Sequence, residues 1–529
     1  MQNNLEYKKN IVNDFFNNGI LISPDILNLE DNLQEVFEKK ELILNEKFKN
    51  FIIINNDSLN LFKLDKDEVN WFEIDRLKVM QEKKNITKPY ESMVKFLLKE
   101  KDKINDETSS NLYPLEVISS YEKEIKKKSI DNFIHYFNHR YKELEKMLSL
   151  RQELTNLTSI SRIKSKKDKE NVALIAMVYE KTITSNNNII LKVEDLTGQV
   201  NVLVSKNNPD VFEIAKDIVD DEVIAITGVC GDNIVFSNNV IFPDIPLTKE
   251  IKKHPEEIYA VFLSDLHIGS NTFMEKEFNK FIEWINGKAG NCEQKELTDK
   301  IKYIFIAGDL VDGVGIYPKQ EEELVIEDIY EQYSECARLL SKIPKDIRII
   351  LCPGNHDATR LSEPQPALFK DFTKPITKMS NVTMLSNPCV VNFAATKNFS
   401  GFEVLMYHGY CFDYFIANVD SIRNNGGYDR ADLVMKFLLQ RRHLAPSHKS
   451  TLYVPDDELD PLVIKKVPDF FVCGHIHKVA VSTYRNVSLI CGSCWQSITS
   501  FQKKMGHHPE PAMVPIVNLQ TRETKILEF

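Results

Sequence analysis

Five short polar clusters, spread over residues 259–477, carry the side chains with chemical potential. In order they are Ser264-Asp265-Leu266-His267, Gly308-Asp309-Leu310-Val311-Asp312-Gly313, Gly354-Asn355-His356-Asp357, Tyr407-His408-Gly409 and Gly474-His475-Ile476-His477. Asp, His and Asn together form a mixed oxygen and nitrogen ligand set for metals. Taken singly, each cluster has a plain alternative. Asp-x-His can be a hydrogen-bonded pair, Gly-Asp a turn, and a lone His a satisfied core residue. The ordered set of five is the signal. It suits two divalent cations a few ångströms apart, which clamp a phosphoryl group, acidify water and neutralise developing charge. One carboxylate must bridge the ions against their repulsion, while neutral imidazoles and an amide oxygen fill the other positions. Such donors suit manganese, iron, zinc or nickel better than calcium.

These clusters need rigid elements to aim them. Apolar runs precede four of them: Tyr259 to Leu263, Tyr303 to Ile306, Val404 to Met406 and Phe470 to Cys473. The third follows Ile347 to Leu351, with Cys352-Pro353 between. Short apolar runs bounded by Gly or Pro predict buried strands. Polar residues beyond the ends of such strands lie where open α/β sheets bind ligands. Helical patterns lie between them, over Glu321 to Lys342, Cys411 to Ile422 and Asp429 to Arg441. Strands alternating with helices predict an α/β core. Leu489 to Cys491 and Val514 to Val517 are expected to close it. Cys491 and Cys494 have thiol-motif spacing, but no second pair accompanies them, so a structural role is expected.

The chain has 529 residues, 43% of them hydrophobic and 27% charged, which predicts a folded multidomain protein. A net charge of −10 argues against sequence-blind coating of nucleic acid, which needs a basic surface. No apolar run reaches the ~18 residues of a membrane span. The first residues lack a signal-peptide pattern, and nine scattered cysteines fit a reducing cytoplasm.

Upstream of the clusters, residues 1–75 read as a small helical module. Residues 76–154 read as a charged linker that ends in an amphipathic helix over 129–150, with Ile130, Phe133, Ile134, Phe137, Tyr141, Leu144 and Leu148 at helical spacing. His135 and His139 lie on that helix without an acidic partner, so no metal role is expected. Residues 155–250 read as strands. Hairpin signals fall at Asp195-Leu196-Thr197-Gly198 and Gly231-Asp232, with one helix from Pro209, a pattern that fits an OB-type barrel. Its aromatics, Tyr179, Phe212 and Phe236, are few for a base-stacking surface, so a structural or partner-binding barrel is favoured.

The five clusters resemble those of the calcineurin-like metallophosphoesterase superfamily. Longer stretches resemble the small subunit of the archaeal family D DNA polymerase: Pro353 to Ala358, Glu363-Pro364-Gln365-Pro366, Arg442-His443-Leu444-Ala445-Pro446, Pro468-Asp469, Trp495-Gln496 and Phe501-Gln502-Lys503. The resemblance is strong over about 255–520, fair over 130–250 and weak before that. It implies a multidomain α/β protein whose last domain, 251–529, is a calcineurin-like α/β sandwich behind the OB-type barrel and the helical module. It further implies that Asp265, His267, Asp309 and His477 hold one metal, with Asp309 bridging, and that Asn355, His408 and His475 complete a second site. Manganese is the favoured ion, with magnesium, zinc, iron or nickel as alternatives. His356 would be the general acid or transition-state stabiliser, oriented by Asp357. Arg360, Arg441, Arg442 and His443 are candidates for contacting DNA. The implied activity is a two-metal 3′-to-5′ proofreading exonuclease acting on a primer-template or single-stranded 3′ end, alongside a large polymerase subunit in the cytoplasm. The alternatives are a metallophosphoesterase of other specificity and a non-catalytic scaffold, since related second subunits of eukaryotic replicative polymerases lack these ligands.

Overall fold

Val, Ile and Phe dominate the runs before the polar clusters, and β-branched and aromatic side chains suit a pleated, buried surface. The computed structural model describes residues 21–22, 53–54, 112–123, 127–163, 166 and 169–529. The chain divides into two units, Met1–Thr108 and Ser109–Phe529. In the first, Leu21–Ile22 pairs in parallel with Ile53–Ile54. The helical module expected over 1–75 otherwise lies outside the described residues. All the other elements belong to the second unit.

Within the segment expected as a charged linker, Leu115–Ser120 is a strand, β1. Its central residues are exposed, so it lacks the apolar run that marks the other strands. Ile130–Leu148 is helix α1, started by a Ser129 and Asn132 capping box. Its buried side chains include Tyr136, Tyr141, Leu144 and Leu148, but also Arg140. Ile130 and Ile134 face outward instead.

Five strands then close into a barrel: β2 (Asn171–Ile183), β3 (Ile189–Asp195), β4 (Gly198–Val204), β5 (Val223–Gly231) and β6 (Ile234–Ile241). Helix α2 (Pro209–Lys216) separates β4 from β5. The barrel order is β2-β3-β4-β6-β5. Alternate residues such as Ile189, Leu191 and Val193 fill its interior, as the two-residue period of a strand requires. Asp195 Oδ1 accepts from the backbone N–H of Thr197 and Gly198, at 2.7 and 3.0 Å, which makes the first hairpin turn.

The rest of the unit is a sandwich of two mixed sheets. Its elements are β7 (Tyr259–Leu263), α3 (Glu275–Ile285), β8 (Ile301–Ala307), α4 (Ile329–Leu340), β9 (Arg348–Cys352), β10 (Val382–Met384), β11 (Cys389–Phe393), β12 (Phe402–Met406), α5 (Phe412–Asn418), α6 (Ala431–Arg441), β13 (Phe470–Cys473), β14 (Ala480–Tyr484), β15 (Val487–Cys491), α7 (Ser500–Met505), β16 (Met513–Asn518) and β17 (Thr524–Glu528). One sheet runs β10-β9-β8-β7-β16-β17 and the other β14-β15-β13-β12-β11-β1. Strands β7 to β10 are mutually parallel, as are β12, β13 and β15. Phe262, Phe305, Phe393, Phe402 and Phe470 fill the space between the sheets. Helices α3 and α4 cover the outer face of the first sheet, and α5 and α6 that of the second. The helix expected from Glu321 begins later because Asp328 caps it, accepting from the N–H of Tyr330 and Glu331.

Helix α1 and the barrel are each tied to the sandwich by buried charge. Arg140 Nε donates to Asp460 Oδ2 at 2.8 Å, with both side chains fully buried. Arg441 pairs with Glu222 of the barrel at 3.1 Å and lies 4.2 Å from the centre of the Phe242 ring. Among the described residues no helix is long and apolar enough to cross a membrane.

Candidate metal centre

Asp265 and His267 follow β7, Asp309 follows β8, Asn355 follows β9, His408 follows β12, and His475 and His477 follow β13. All five strands are parallel within their sheets, so these loops leave at carboxyl ends and meet along one rim of the sandwich. The chain bends sharply there. Asp265, His267, Asp309, His475 and His477 have φ of 52°, 51°, 51°, 75° and 54°, the left-handed region that L-residues rarely enter. Each costs on the order of 1–3 kcal/mol and persists only where its surroundings enforce it. Two glycines allow the close approach. A Cβ on Gly354 would overlap the Asp309 carboxylate, and one on Gly474 would overlap that of Asp265.

The seven residues are brought together as two overlapping groups. In the first, His267 Nε2 lies 3.9 Å from Asp265 Oδ1, 3.8 Å from Asp309 Oδ2 and 3.0 Å from His477 Nε2. His477 Nε2 lies 3.5 Å from Asp265 Oδ1. In the second, His408 Nε2 lies 3.3 Å from Asp309 Oδ2 and 3.0 Å from Asn355 Oδ1. His475 Nδ1 is also 3.0 Å from Asn355 Oδ1. Asp309 belongs to both groups. Its other oxygen accepts the His356 N–H at 2.8 Å, which fixes the carboxylate plane.

The donor set fits a cation. His267 Nδ1 faces Asp312 Oδ1 at 3.1 Å, His408 Nδ1 faces the Ala307 carbonyl at 2.8 Å, and His475 Nε2 faces Asp413 Oδ2 at 2.9 Å. An imidazole's proton sits on the nitrogen that meets an acceptor. The opposite nitrogens therefore turn lone pairs toward carboxylate and amide oxygens at 3.0–3.8 Å. Lone pairs facing one another in a buried site repel, and a shared cation removes that cost. Fixing the far side of each ligating imidazole is what an outer ring of partners does in metal sites. His/Asp groups that could bind a metal ion recur across this cluster: Asp265, His267 and His477; Asp265, Asp309 and His408; and His267, Asp309 and His356.

Electrostatics tells the same story. Burial raises the Asp309 carboxyl, but His408, His356 and His267 outweigh it and hold the group well below its usual range. Burial lowers His408, yet the Asp309 carboxylate outweighs it and lifts that imidazole to about 10, so a proton on Nε2 meets the same demand for positive charge that a cation would meet in its place. The carboxylates thus demand positive charge in their midst.

His356 lies beside the first group, its ring centre 4.6 Å from that of His267. Its Nδ1 meets the Asp312 carbonyl at 2.8 Å, and burial lowers its pKa. Asp357 does not orient it, contrary to expectation. The Asp357 carboxylate turns under the loop and accepts from the N–H of Gly354 at 2.9 Å, the N–H of Leu310 at 3.3 Å and the Tyr333 hydroxyl at 3.0 Å. It fastens two ligand-bearing loops together.

The four candidate DNA contacts are each held by protein partners, Arg360 half-buried and the other three buried. Arg360 spends its guanidinium on the carbonyls of Ser362 and Pro364. Arg441 is buried on Glu222, Phe242 and Phe437. Arg442 is buried on the carbonyls of Ile464 and Lys465, and His443 on Asp460. A basic run in sequence looks like a surface patch, but here the end of α6 lies inside the junction with the barrel. Cys491 and Cys494 are buried free thiols, as a structural role requires.

A family model for the B subunits of DNA polymerases alpha and epsilon matches residues 260–481, which include all seven candidate ligands. Similarity to the DNA polymerase II small subunit of Methanothermobacter thermautotrophicus is 40% identity over 400 residues, 76% of this chain and 80% of that protein. The chain belongs to the DNA polymerase II small-subunit family. The Archaeoglobus fulgidus small subunit is 37% identical over 388 residues, covering 73% of this chain and 75% of the relative. The Pyrococcus furiosus small subunit is 38% identical over 76% of this chain and 64% of its own length.

In this member of the small-subunit family, reading the sequence missed two supporting carboxylates. Asp312 takes His267 on one oxygen and the Gln320 amide on the other, at 3.1 and 2.9 Å, and Gln496 joins it at 2.9 Å. Asp413, at the start of α5, takes His475 and the Tyr428 hydroxyl, each at 2.9 Å. Asp312 stands inside the second cluster, three residues after Asp309, so its position was a signal. Asp413 sits in an apolar helix pattern and gave none.

Proposed function

We propose that this chain is the 3′-to-5′ proofreading exonuclease of an archaeal family D DNA polymerase and acts with the large polymerase subunit as its partner. The proposed domains are a helical module (1–75), a charged linker with an amphipathic helix (76–154) whose strand β1 joins the second sheet of the sandwich, an OB-type barrel (155–250) and a calcineurin-like phosphoesterase sandwich (251–529). One observation carries the reading: Asp309 stands between two imidazole-bearing groups whose lone pairs converge on it, 3.8 Å from His267 and 3.3 Å from His408.

Asp265, His267, Asp309 and His477 would hold one divalent cation, and Asn355, His408 and His475 the other, with Asp309 shared. Such a pair, manganese being favoured by the mixed donors, supplies charge neutralisation and Lewis acidity to a phosphodiester. The chain's own part is positional. Asp312 and Asp413 hold two imidazoles in the ligating orientation. His356, tethered through Nδ1–H to the Asp312 carbonyl, would act in its imidazolium form, stabilising charge at the phosphate and passing its Nε2 proton to the departing 3′-oxygen, which leaves the ring neutral.

The test is digestion of end-labelled mismatched primer DNA with added manganese, with and without the large subunit. The intact chain should shorten the strand from its 3′ end. Asp309→Ala should abolish this while thermal unfolding and large-subunit binding persist. Undiminished hydrolysis by the pure variant would overturn the assignment.

A further inference from the structure

Helix α7 buries none of its side chains, yet it carries Phe501 and Met505. Phe501 is 46% exposed and stacks on Tyr317 across a gap in sequence, with ring centres 5.7 Å apart and planes 25° from parallel. Tyr317 is in turn 6.3 Å, centre to centre, from the His356 ring. The helix is held by the Thr499 and Gln502 capping box, and Gln502 Nε2 reaches His477 Nδ1 at 2.9 Å. The aromatic pair therefore sits on two segments that each touch the candidate metal centre.

Folding gives no account of this arrangement. A Phe left half exposed on a short helix, beside a half-buried Tyr, forgoes part of the burial worth about 1.5–3 kcal/mol for such a side chain. Val314, Ile316 and Ile498 are exposed around them. An apolar patch rimmed by polar residues marks a binding surface.

We infer that Tyr317 and Phe501 form a stacking platform for the unpaired terminal base of the DNA strand whose phosphate enters the metal centre. This rests on the nuclease reading and names how that site would grip its substrate. Three features select a base over other occupants. The platform adjoins the site where the phosphate of the same nucleotide would lie. Phe501 leaves nearly half of its surface exposed, and base–aromatic stacking tolerates any sequence because every base has a π-face. The charge next to it is acidic, Glu321 to Glu323, with Glu323 accepting from the Tyr317 hydroxyl at 3.0 Å. That charge repels a phosphate there, so the phosphate is left to the metals and the uncharged base to the rings. A stacking grip also favours a frayed end, because a paired base is already stacked in its duplex.

The experiment uses the full-length chain and a single-stranded oligonucleotide with 2-aminopurine at its 3′ end, in calcium without manganese. Binding should quench the fluorophore. Phe501→Ala should abolish the quenching and weaken binding about tenfold, within the range for one stacked base, and Phe501→Trp should restore both. With manganese, the wild type should have a KM about tenfold lower for a base-bearing 3′ end than for an abasic one. Phe501→Ala should bring that ratio near one. Equal quenching by wild type and Phe501→Ala, or a ratio unchanged by the substitution, overturns the platform. So does a Phe501→Ala chain that quenches normally but fails to bind the large subunit, because the patch is then a protein contact. If the wild type cleaves neither end, the nuclease reading falls, and the quenching arm alone decides the platform.

Discussion

Asp312 Oδ1 lies 3.1 Å from His267 Nδ1 in a site that excludes water from both. The Asp312 carbonyl meets His356 Nδ1 at 2.8 Å, so one residue aims a candidate ligand and the candidate acid together. Buried Gln320 and Gln496 hold its carboxylate from the other side.

Asp312→Ala should therefore weaken metal binding about 10–100-fold, the usual cost of losing the partner of a ligating imidazole. Calorimetric titration with manganese measures this directly. An affinity unchanged within twofold would mean that His267 needs no such support.

His356→Ala should separate its two candidate roles. As a proton donor or charge stabiliser it should leave two ions bound while turnover falls roughly 10²–10⁴-fold. A drop from two bound ions to one, seen by metal analysis of the dialysed protein, would make it a ligand instead.

Arg441→Ala should act on stability and not on DNA. The guanidinium is buried between Glu222 and two phenyl rings, so its removal strands a buried carboxylate at a cost of about 3–5 kcal/mol. Thermal unfolding should move down by several degrees while the folded protein keeps its oligonucleotide affinity. A loss of affinity with unchanged unfolding would restore the basic-patch reading.

Acid should weaken the junction between α1 and α6. His443 Nδ1 accepts from the Ala445 N–H at 3.0 Å and its Nε2 meets Asp460 at 2.8 Å, which is a neutral ring. Burial, with Arg140 nearby, lowers its pKa to about 4. An unfolded histidine protonates near 6.5, so between pH 6.5 and 4 the unfolded chain binds the extra proton. Stability is full above this window and falls through it, by on the order of 3 kcal/mol. Burial raises the Asp460 carboxyl, but His443 and Arg140 pull it well below its usual range. Its share of the stability therefore outlasts this window and goes only in stronger acid. Urea unfolding at pH 7, 5.5 and 4.5 should track the decline, and His443→Gln should flatten it.

The strands and ligand types were legible in the primary structure because both are local facts. An apolar run such as Phe470 to Cys473 has nowhere to go but a core, and Gly-His-x-His or Gly-Asn-His-Asp at its end states its own donors. Strand β1 was not legible, because an exposed edge strand is defined by the neighbour it pairs with, here β11. The partners were equally hidden. Arg441, Arg442 and His443 read as one basic surface until the fold placed Glu222, the Ile464 carbonyl and Asp460 against them. Asp357 stands beside His356 in sequence, yet it turns to Gly354, Leu310 and Tyr333, while the more distant Asp312 supplies the contact. Side-chain chemistry is written residue by residue. Which nitrogen meets which oxygen depends on where two sheets and five sharp turns bring their loops, and only the folded chain sets that.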